Sequence, residues 1–261
     1  MEIYEPKGRA REYSPLALNY FKGCSHGCLY CYVPALLGKY NSSYKHSEVI
    51  PPASFNKLEL SAKKFANSDK QVLLSFTGDP YCGADPSITR HVLEILLENN
   101  IKVAILTKGF YKEIINDLPL FRQFGNHIKV GMTLTFSNDA DSLKWENGAS
   151  LPAERLSTLK KLADNGIKTW ASFEPVISPH QSLVLLSSVC KFIDHVKIGK
   201  INNYKGLDKT IDWQLFLTSA ISILRSNGMN DRFYIKQDLR AAAPNFTDLT
   251  VNECDQDFLN L

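Results

Sequence analysis

The stretch Gly23–Tyr32, GCSHGCLYCY, gathers Cys24, Cys28 and Cys31 into one short loop of a chain with six cysteines. Three thiolates at this spacing can each bind one iron of a cubane cluster and leave the fourth iron without a protein ligand, whereas an electron-transfer cluster ordinarily takes four cysteines. An open iron is a place for chemistry. Gly23 and Gly27 let such a loop wrap tightly, because glycine tolerates backbone conformations closed to other residues. The rival is structural zinc, with His26 or a distant residue as fourth ligand. No second CxxC, CxxH or HxxxH pair follows, and Cys82, Cys190 and Cys254 stand alone. His26 lies between two of the cysteines, so chelating the same ion would strain the loop. A disulfide would need an oxidising compartment, which nothing in the sequence supports. The spacing therefore favours iron and sulfide over zinc.

The elements that must position this loop alternate between strand and helix patterns. Short apolar runs predict strands at Leu16–Phe21, Val72–Phe76, Lys102–Leu106, Ile128–Thr135, Thr169–Phe173 and Val196–Ile198, with a weaker one at Arg232–Ile235. Ser87 is the expected N-cap of a helix that buries Val92, Ile95 and Leu96 with Ile88. Pro152 is expected in the first turn of another, with Leu156, Leu159 and Leu162 spaced for burial. Asn99-Asn100 and Asn165-Gly166 read as two similar helix stops, each leading into an apolar strand. Repeated strand–helix units imply a parallel sheet with right-handed crossovers, with site residues on loops at the C-terminal strand ends. Six or seven strands are too few for a closed eight-stranded barrel, which leaves an open partial barrel or a doubly wound sheet. Residues 1–236 are expected to form one domain. The acidic tail, 237–261, has little periodicity and is expected to close over one end.

A chain of 261 residues with 44% hydrophobic content can build a core without disulfides or metal. Its formal net charge of +3, with both signs mixed, argues against binding held mainly by phosphate contacts. No apolar run approaches the roughly 20 residues of a membrane span, and no signal peptide is evident. The expectation is a cytoplasmic, reducing environment with no membrane partner.

The pattern Cys24-x3-Cys28-x2-Cys31, with Tyr30 beside the last cysteine, resembles the CxxxCxΦC signature of the radical S-adenosylmethionine (SAM) superfamily. The run LNYFKGCSHGCLYCY is similar to the spore photoproduct lyase-like branch, also called DNA repair photolyase-like radical SAM proteins. The similarity continues in colinear order through SFTGDPY (75–81), ILTKG (105–109), GMTLTF (131–136) and SFEPVI (172–177). The resemblance implies an α/β fold, a partial (β/α)6-type radical SAM barrel with a parallel sheet and outer helices. It also implies a [4Fe-4S] cluster, SAM, and an electron donor such as flavodoxin or ferredoxin. In that chemistry SAM chelates the open iron, one electron cleaves it, and a 5′-deoxyadenosyl radical abstracts a substrate hydrogen.

Carried over residue by residue, the resemblance makes Cys24, Cys28 and Cys31 the cluster ligands and sets Tyr32 against the adenine. Gly78 and Asp79 stand where the superfamily usually has a Gly-rich motif, here without its second glycine. Asp79 is then placed to accept the SAM ammonium proton; otherwise the pair is an ordinary Gly-Asp-Pro turn. Lys108 resembles the lysine that approaches the SAM carboxylate, although a solvated strand end reads the same way. Period-two alternation puts Thr133 and Thr135 on one face, toward the SAM carboxylate or ribose if that face is the interior. Glu174 ends the fifth strand, suited to a ribose or substrate hydroxyl. Lys197, Lys200 and Lys236, with Gly199, are substrate-site candidates by position alone. In spore photoproduct lyases a cysteine, aided by tyrosines flanking the last cluster cysteine, returns hydrogen to the substrate. Tyr30 and Tyr32 match that flanking pair. Cys82 is the candidate donor, but it follows Asp79 where the family cysteine precedes its Asp motif, and an inert buried thiol fits as well. No damage-recognition hairpin is evident near the C-terminus.

The leading expectation is a radical SAM enzyme that repairs or modifies a nucleic acid or nucleotide. Its alternatives are radical modification of a peptide or small metabolite and, from another class, a zinc-stabilised binding module without catalysis.

Overall fold

A computed structural model describes residues 1–38, 52–82, 85–202, 204 and 206–261. Seven strands form one sheet: β1 (Leu16–Leu18), β2 (Val72–Leu74), β3 (Val103–Thr107), β4 (Ile128–Thr133), β5 (Lys168–Val176), β6 (His195–Lys200) and β7 (Phe233–Ile235). Neighbouring strands are parallel and follow chain order from β1 to β7. A doubly wound sheet would reverse its order at a switch point. Here every crossover advances in the same direction, and the sheet curls into a half-barrel with helices around it.

The outer face buries the main apolar core, with Val92 and Leu96 of the helix Pro86–Glu98 and Leu159 and Leu162 of the helix Pro152–Asp164 fully enclosed. The inner face is filled by Tyr13, Leu73, Ala104 and Trp170. Gly131 makes room for the indole: a Cβ there would lie 2.4 Å from Trp170 Nε1, which donates to Ile105 O at 3.0 Å. Both anticipated helix stops have the left-handed residue expected of them, Asn100 at φ 52° and Gly166 at φ 75°. A third, Gly228 at φ 69°, ends the helix Trp213–Ser226.

Three local details differ from the sequence expectation. Asp85, not Ser87, is the N-cap: its carboxylate accepts from Ser87 N, and Pro86 takes the first helical position. β1 and β2 stop earlier than Phe21 and Phe76 because the Asn19 side chain replaces the ladder, its Oδ1 accepting from Ser75 Oγ, Phe76 N and Thr77 N. β4 stops at Thr133, so its alternation does not extend to Thr135.

The segment before β1 links the last strand to the first. Glu12 accepts from Tyr234 Oη at 2.7 Å and from Gln237 N at 2.8 Å, while Lys197 Nζ donates to Glu12 O at 2.7 Å. Tyr4 and Ala17 exchange both backbone hydrogen bonds along the free edge of β1. The last residues lie against the N-terminal strand ends: Lys129 Nζ donates to Leu259 O at 2.5 Å, and Gln71 Nε2 to Asn260 Oδ1 at 2.8 Å.

Candidate active site

A cavity of about 520 Å³ opens at the C-terminal ends of the strands. Cys24, Cys28 and Cys31 line one side, joined by Gly78 and Asp79 after β2, Lys108 after β3 and Thr133 at the end of β4. Glu174 of β5, Lys200 of β6 and Lys236 after β7 form the facing side. Tyr30 and Tyr32 also line it, and Arg9 and Tyr13 reach it from the segment before β1.

The three-cysteine loop is shaped by glycines at positive φ, 90° at Gly23 and 60° at Gly27, and by a turn in which Cys31 N donates to Cys28 O at 3.1 Å. His26 is 1% exposed and spans from this loop to two other parts of the chain. Its Nδ1 meets Gly148 O at 3.0 Å and its Nε2 meets Asp79 Oδ2 at 3.2 Å. Only the Nδ1 contact has hydrogen-bond geometry; the Nε2 contact is an approach to the Asp79 carboxylate at ion-pair distance. Burial works against charging the ring, and the Asp79 carboxylate outweighs it, raising the His26 pKa.

Asp79 carries a full set of partners. Oδ1 accepts from Tyr81 N at 2.8 Å and Thr107 Oγ1 at 2.5 Å, and Oδ2 accepts from Lys108 N at 2.8 Å beside His26. Burial opposes its charge, yet His26, Lys108 and Thr107 hold its pKa well below the usual carboxylate range. The carboxylate thus serves first to brace the loops around it.

A second buried group was not anticipated from the sequence. Glu146 and Arg155 pair at 2.7 Å with side chains 0% and 2% exposed. Tyr30 Oη donates to Glu146 Oε1, and Thr135 Oγ1 donates to the same oxygen at 3.1 Å. Arg155 Nη1 donates to Thr133 O at 3.0 Å and Nε to Ser150 O at 2.8 Å. Between these residues, Trp145 O accepts from Leu29 N at 2.9 Å and Gly148 N donates to His26 O at 3.1 Å. The segment 145–150 therefore clamps the cysteine loop. The available signals were an arginine on the buried face of the helix Pro152–Asp164 and the Asn147-Gly148 turn; neither names its partner.

The remaining candidates divide by position. Glu174 accepts from Tyr13 Oη and from Lys236 Nζ, at 3.0 and 2.8 Å to its two oxygens. Gly199 leaves space for this pair, since a Cβ there would lie 2.9 Å from both Glu174 Cδ and Lys236 Cδ. Lys200 Nζ lies 3.5 Å from Asp208, and Tyr32 Oη donates to Phe76 O at 2.7 Å. Thr135, Lys197 and Cys82 are buried and do not line the cavity. Lys197 is directed into the carbonyls of Glu12 and Tyr13. Cys82 lies behind the loop, in contact with Cys24.

Three thiols on one cavity wall are a donor set that a cubane cluster can use. Among the described residues, no three His, Cys, Asp or Glu side chains are drawn together as ligands of one ion would be. Cubane irons sit at separate corners, and each takes its own thiolate. Burial pushes the Cys28 thiol up to about 12 and raises Cys31; contact with Cys82, then burial, raises Cys24. Bound iron would displace the protons that burial favours. Lys108 also faces this wall, its charge favoured over the cost of burial by Cys28, Glu146 and Asp79.

The family model described as the radical SAM superfamily matches residues 18–184. The uncharacterized protein MJ0683 of Methanocaldococcus jannaschii is 29% identical over 164 residues, covering 61% of this chain and 60% of that protein. The chain thus spans about three-fifths of that relative's length. Among solved structures, a spore photoproduct lyase variant with bound SAM and dinucleoside spore photoproduct superposes with a TM-score of 0.60. It shares 14% identity over 94% of this chain and 65% of the lyase. Streptococcus suis SuiB bound to its precursor peptide SuiA gives a TM-score of 0.64 and 14% identity, over 87% of this chain and 50% of SuiB. Among the described residues, no helix is long and apolar enough to cross a membrane.

Proposed function

Since the chain belongs to the radical SAM superfamily, whose members use a [4Fe-4S] cluster and SAM, we propose that Cys24, Cys28 and Cys31 hold the cluster and that the substrate is a nucleic acid or nucleotide. The observation that carries the reading is the placement of all three thiols in the cavity that Asp79, Lys108 and Glu174 also line. When bound, the cluster and SAM supply a 5′-deoxyadenosyl radical that takes a hydrogen atom from the substrate. The chain's own residues bind and orient. Lys108, with no side-chain hydrogen bond or ion pair to another described residue, is placed to meet the SAM carboxylate. Gly78 and Thr133 supply close-approach and hydroxyl surfaces beside it, and Glu174 can still accept from a ribose or substrate hydroxyl.

The substrate side bears Arg9, Lys200 and Lys236 beside the rings of Tyr13 and Tyr204, a mixture suited to phosphate and base. The fold likeness to a lyase holding a dinucleoside supports the same reading. Tyr30 and Tyr32 line the cavity in position to aid hydrogen return, and Cys82, the candidate donor, could take part only after the loop in front of it moved. An electron donor of the flavodoxin or ferredoxin kind and a reducing, cytoplasmic setting complete the proposal, in keeping with clustered cysteines that are not joined in disulfides.

The test is substrate-dependent 5′-deoxyadenosine formation by the reduced protein with SAM, in the presence of nucleotides, single-stranded and duplex oligonucleotides, or peptides. Stimulation by nucleotides or oligonucleotides is expected. Stimulation by peptides alone would transfer the assignment to peptide modification, the reading that the likeness to peptide-bound SuiB supports.

A further inference from the structure

We infer that His26 is a positioning residue of the three-cysteine loop, joining the turn after β2 to the 145–150 clamp so that the thiols are held toward the cavity. The inference rests on the proposal that these thiols are the cluster ligands. The loop has no strand ladder of its own, and its two positive-φ glycines supply freedom rather than order. Order must come from ties to the rest of the fold. His26 provides two at once, to Asp79 after β2 and to Gly148 in the clamp.

The dependence runs in one direction. Asp79 keeps Tyr81 N, Thr107 Oγ1 and Lys108 N as partners whatever residue stands at 26, so the scaffold end of the tie is fixed. At the loop end the ties from Leu29 N to Trp145 O and from Gly148 N to His26 O also remain, but neither reaches Asp79, so the His26 ring is the loop's tie to the turn after β2. The ring also explains the residue type. It is short and rigid, and its two nitrogens reach Gly148 O and the Asp79 carboxylate on different sides, 3.0 and 3.2 Å away, whereas an amide carries both its polar atoms at one end. Gly148 completes the fit, because a Cβ there would lie 2.2 Å from Ser25 O. His26 and Gly148 thus close the same contact from opposite sides.

Three variants test this: His26→Ala, His26→Gln and Gly148→Ala. The first readout uses the metal-free chain, with alkylation by iodoacetamide followed at each cysteine by mass spectrometry. In His26→Ala the rates at Cys24 and Cys28 should rise about ten-fold or more through local opening, while buried Cys190 in the outer core stays unchanged. His26→Gln should fall between, and Gly148→Ala should reproduce the alanine effect without further loss when combined with it. The second readout is iron and sulfide retained after anaerobic reconstitution, with the electron paramagnetic resonance signal of the reduced, SAM-bound cluster. Loss of at least half the iron, or a changed signal, is expected in His26→Ala. Rates, iron content and signal like those of the parent in both His26→Ala and Gly148→Ala would overturn the inference. An equal rise at Cys190 would also overturn it, by showing general unfolding. A parent protein that takes up no iron would sink the cluster assignment instead, and the metal-free alkylation pattern would still decide the role of His26.

Discussion

The two sides of the cavity are built on different principles. The cysteine side is braced by buried charge: His26 with Asp79 at side-chain exposures of 1% and 8%, and Glu146 with Arg155 at 0% and 2%. The facing side is braced at its base, where Tyr13, Glu174 and Lys236 interlock, but opens into looser pairs toward solvent. Arg9 is 51% exposed and meets Asp238 at 3.3 Å, and Lys200 lies 3.5 Å from Asp208. The difference matches what each side would have to do. A reactive centre must be held to a fraction of an ångström, and its braces must already be in place when the cofactor binds. A substrate wall must release its own ion pairs to accept a ligand, and weak, exposed pairs are cheap to release.

The comparison can be broken by substitution. The largest effect on stability is expected at the cysteine side. Arg155→Ala would leave Glu146 buried without its countercharge, costing about 3–5 kcal/mol in urea denaturation. A cost below about 1 kcal/mol would mean that this side is no more braced than a surface pair.

A second test uses pH. Burial, followed by repulsion from Lys236, lowers the Lys197 pKa to about 7, below the ordinary lysine value. The unfolded chain therefore binds the proton first as pH falls. The stability contributed by the neutral amine is present at high pH and is lost as pH falls toward 7. Unfolding free energy should rise between about pH 7 and 9.5, and the rise should be smaller in Lys197→Met. Identical slopes would show that Lys197 is charged in the fold throughout.

Smaller effects belong to the facing side. Gly199→Ala should displace the Glu174–Lys236 pair, which can shift by side-chain rotation, at a cost of about 1 kcal/mol. Its main effect should be weaker SAM or substrate binding by titration calorimetry. Arg9→Ala should change stability by less than about 1 kcal/mol, while raising KM for an anionic substrate. A large loss of stability in Arg9→Ala would erase the distinction between the two sides.

Much of this arrangement was legible in the sequence because it is written locally. Strand–helix alternation, helix stops at Asn100 and Gly166, and the cysteine spacing each need only a short window of chain. The braces were not legible in the same way. Tyr30 and Glu146 are 116 positions apart, and His26 and Gly148 are 122 apart. No periodicity links a tyrosine on one loop to a carboxylate on another; only the closed fold brings them together. Asp79 shows the intermediate case. Its place at a strand end was evident, but three of its four partners come from two distant parts of the chain, and they make it a brace before it is a ligand. Lys197 and Thr135 show how strand-end position can mislead: one is drawn toward the N-terminal segment, and the other falls beyond the end of β4.

The most direct test is anaerobic purification and cluster reconstitution, analysis of iron, sulfide and zinc, then reduction and addition of SAM. About four iron and four sulfide per chain, with 5′-deoxyadenosine formed by the parent but not by Cys24→Ala, Cys28→Ala or Cys31→Ala, is the result this account requires. Bound zinc without sulfide, and no 5′-deoxyadenosine, would contradict it.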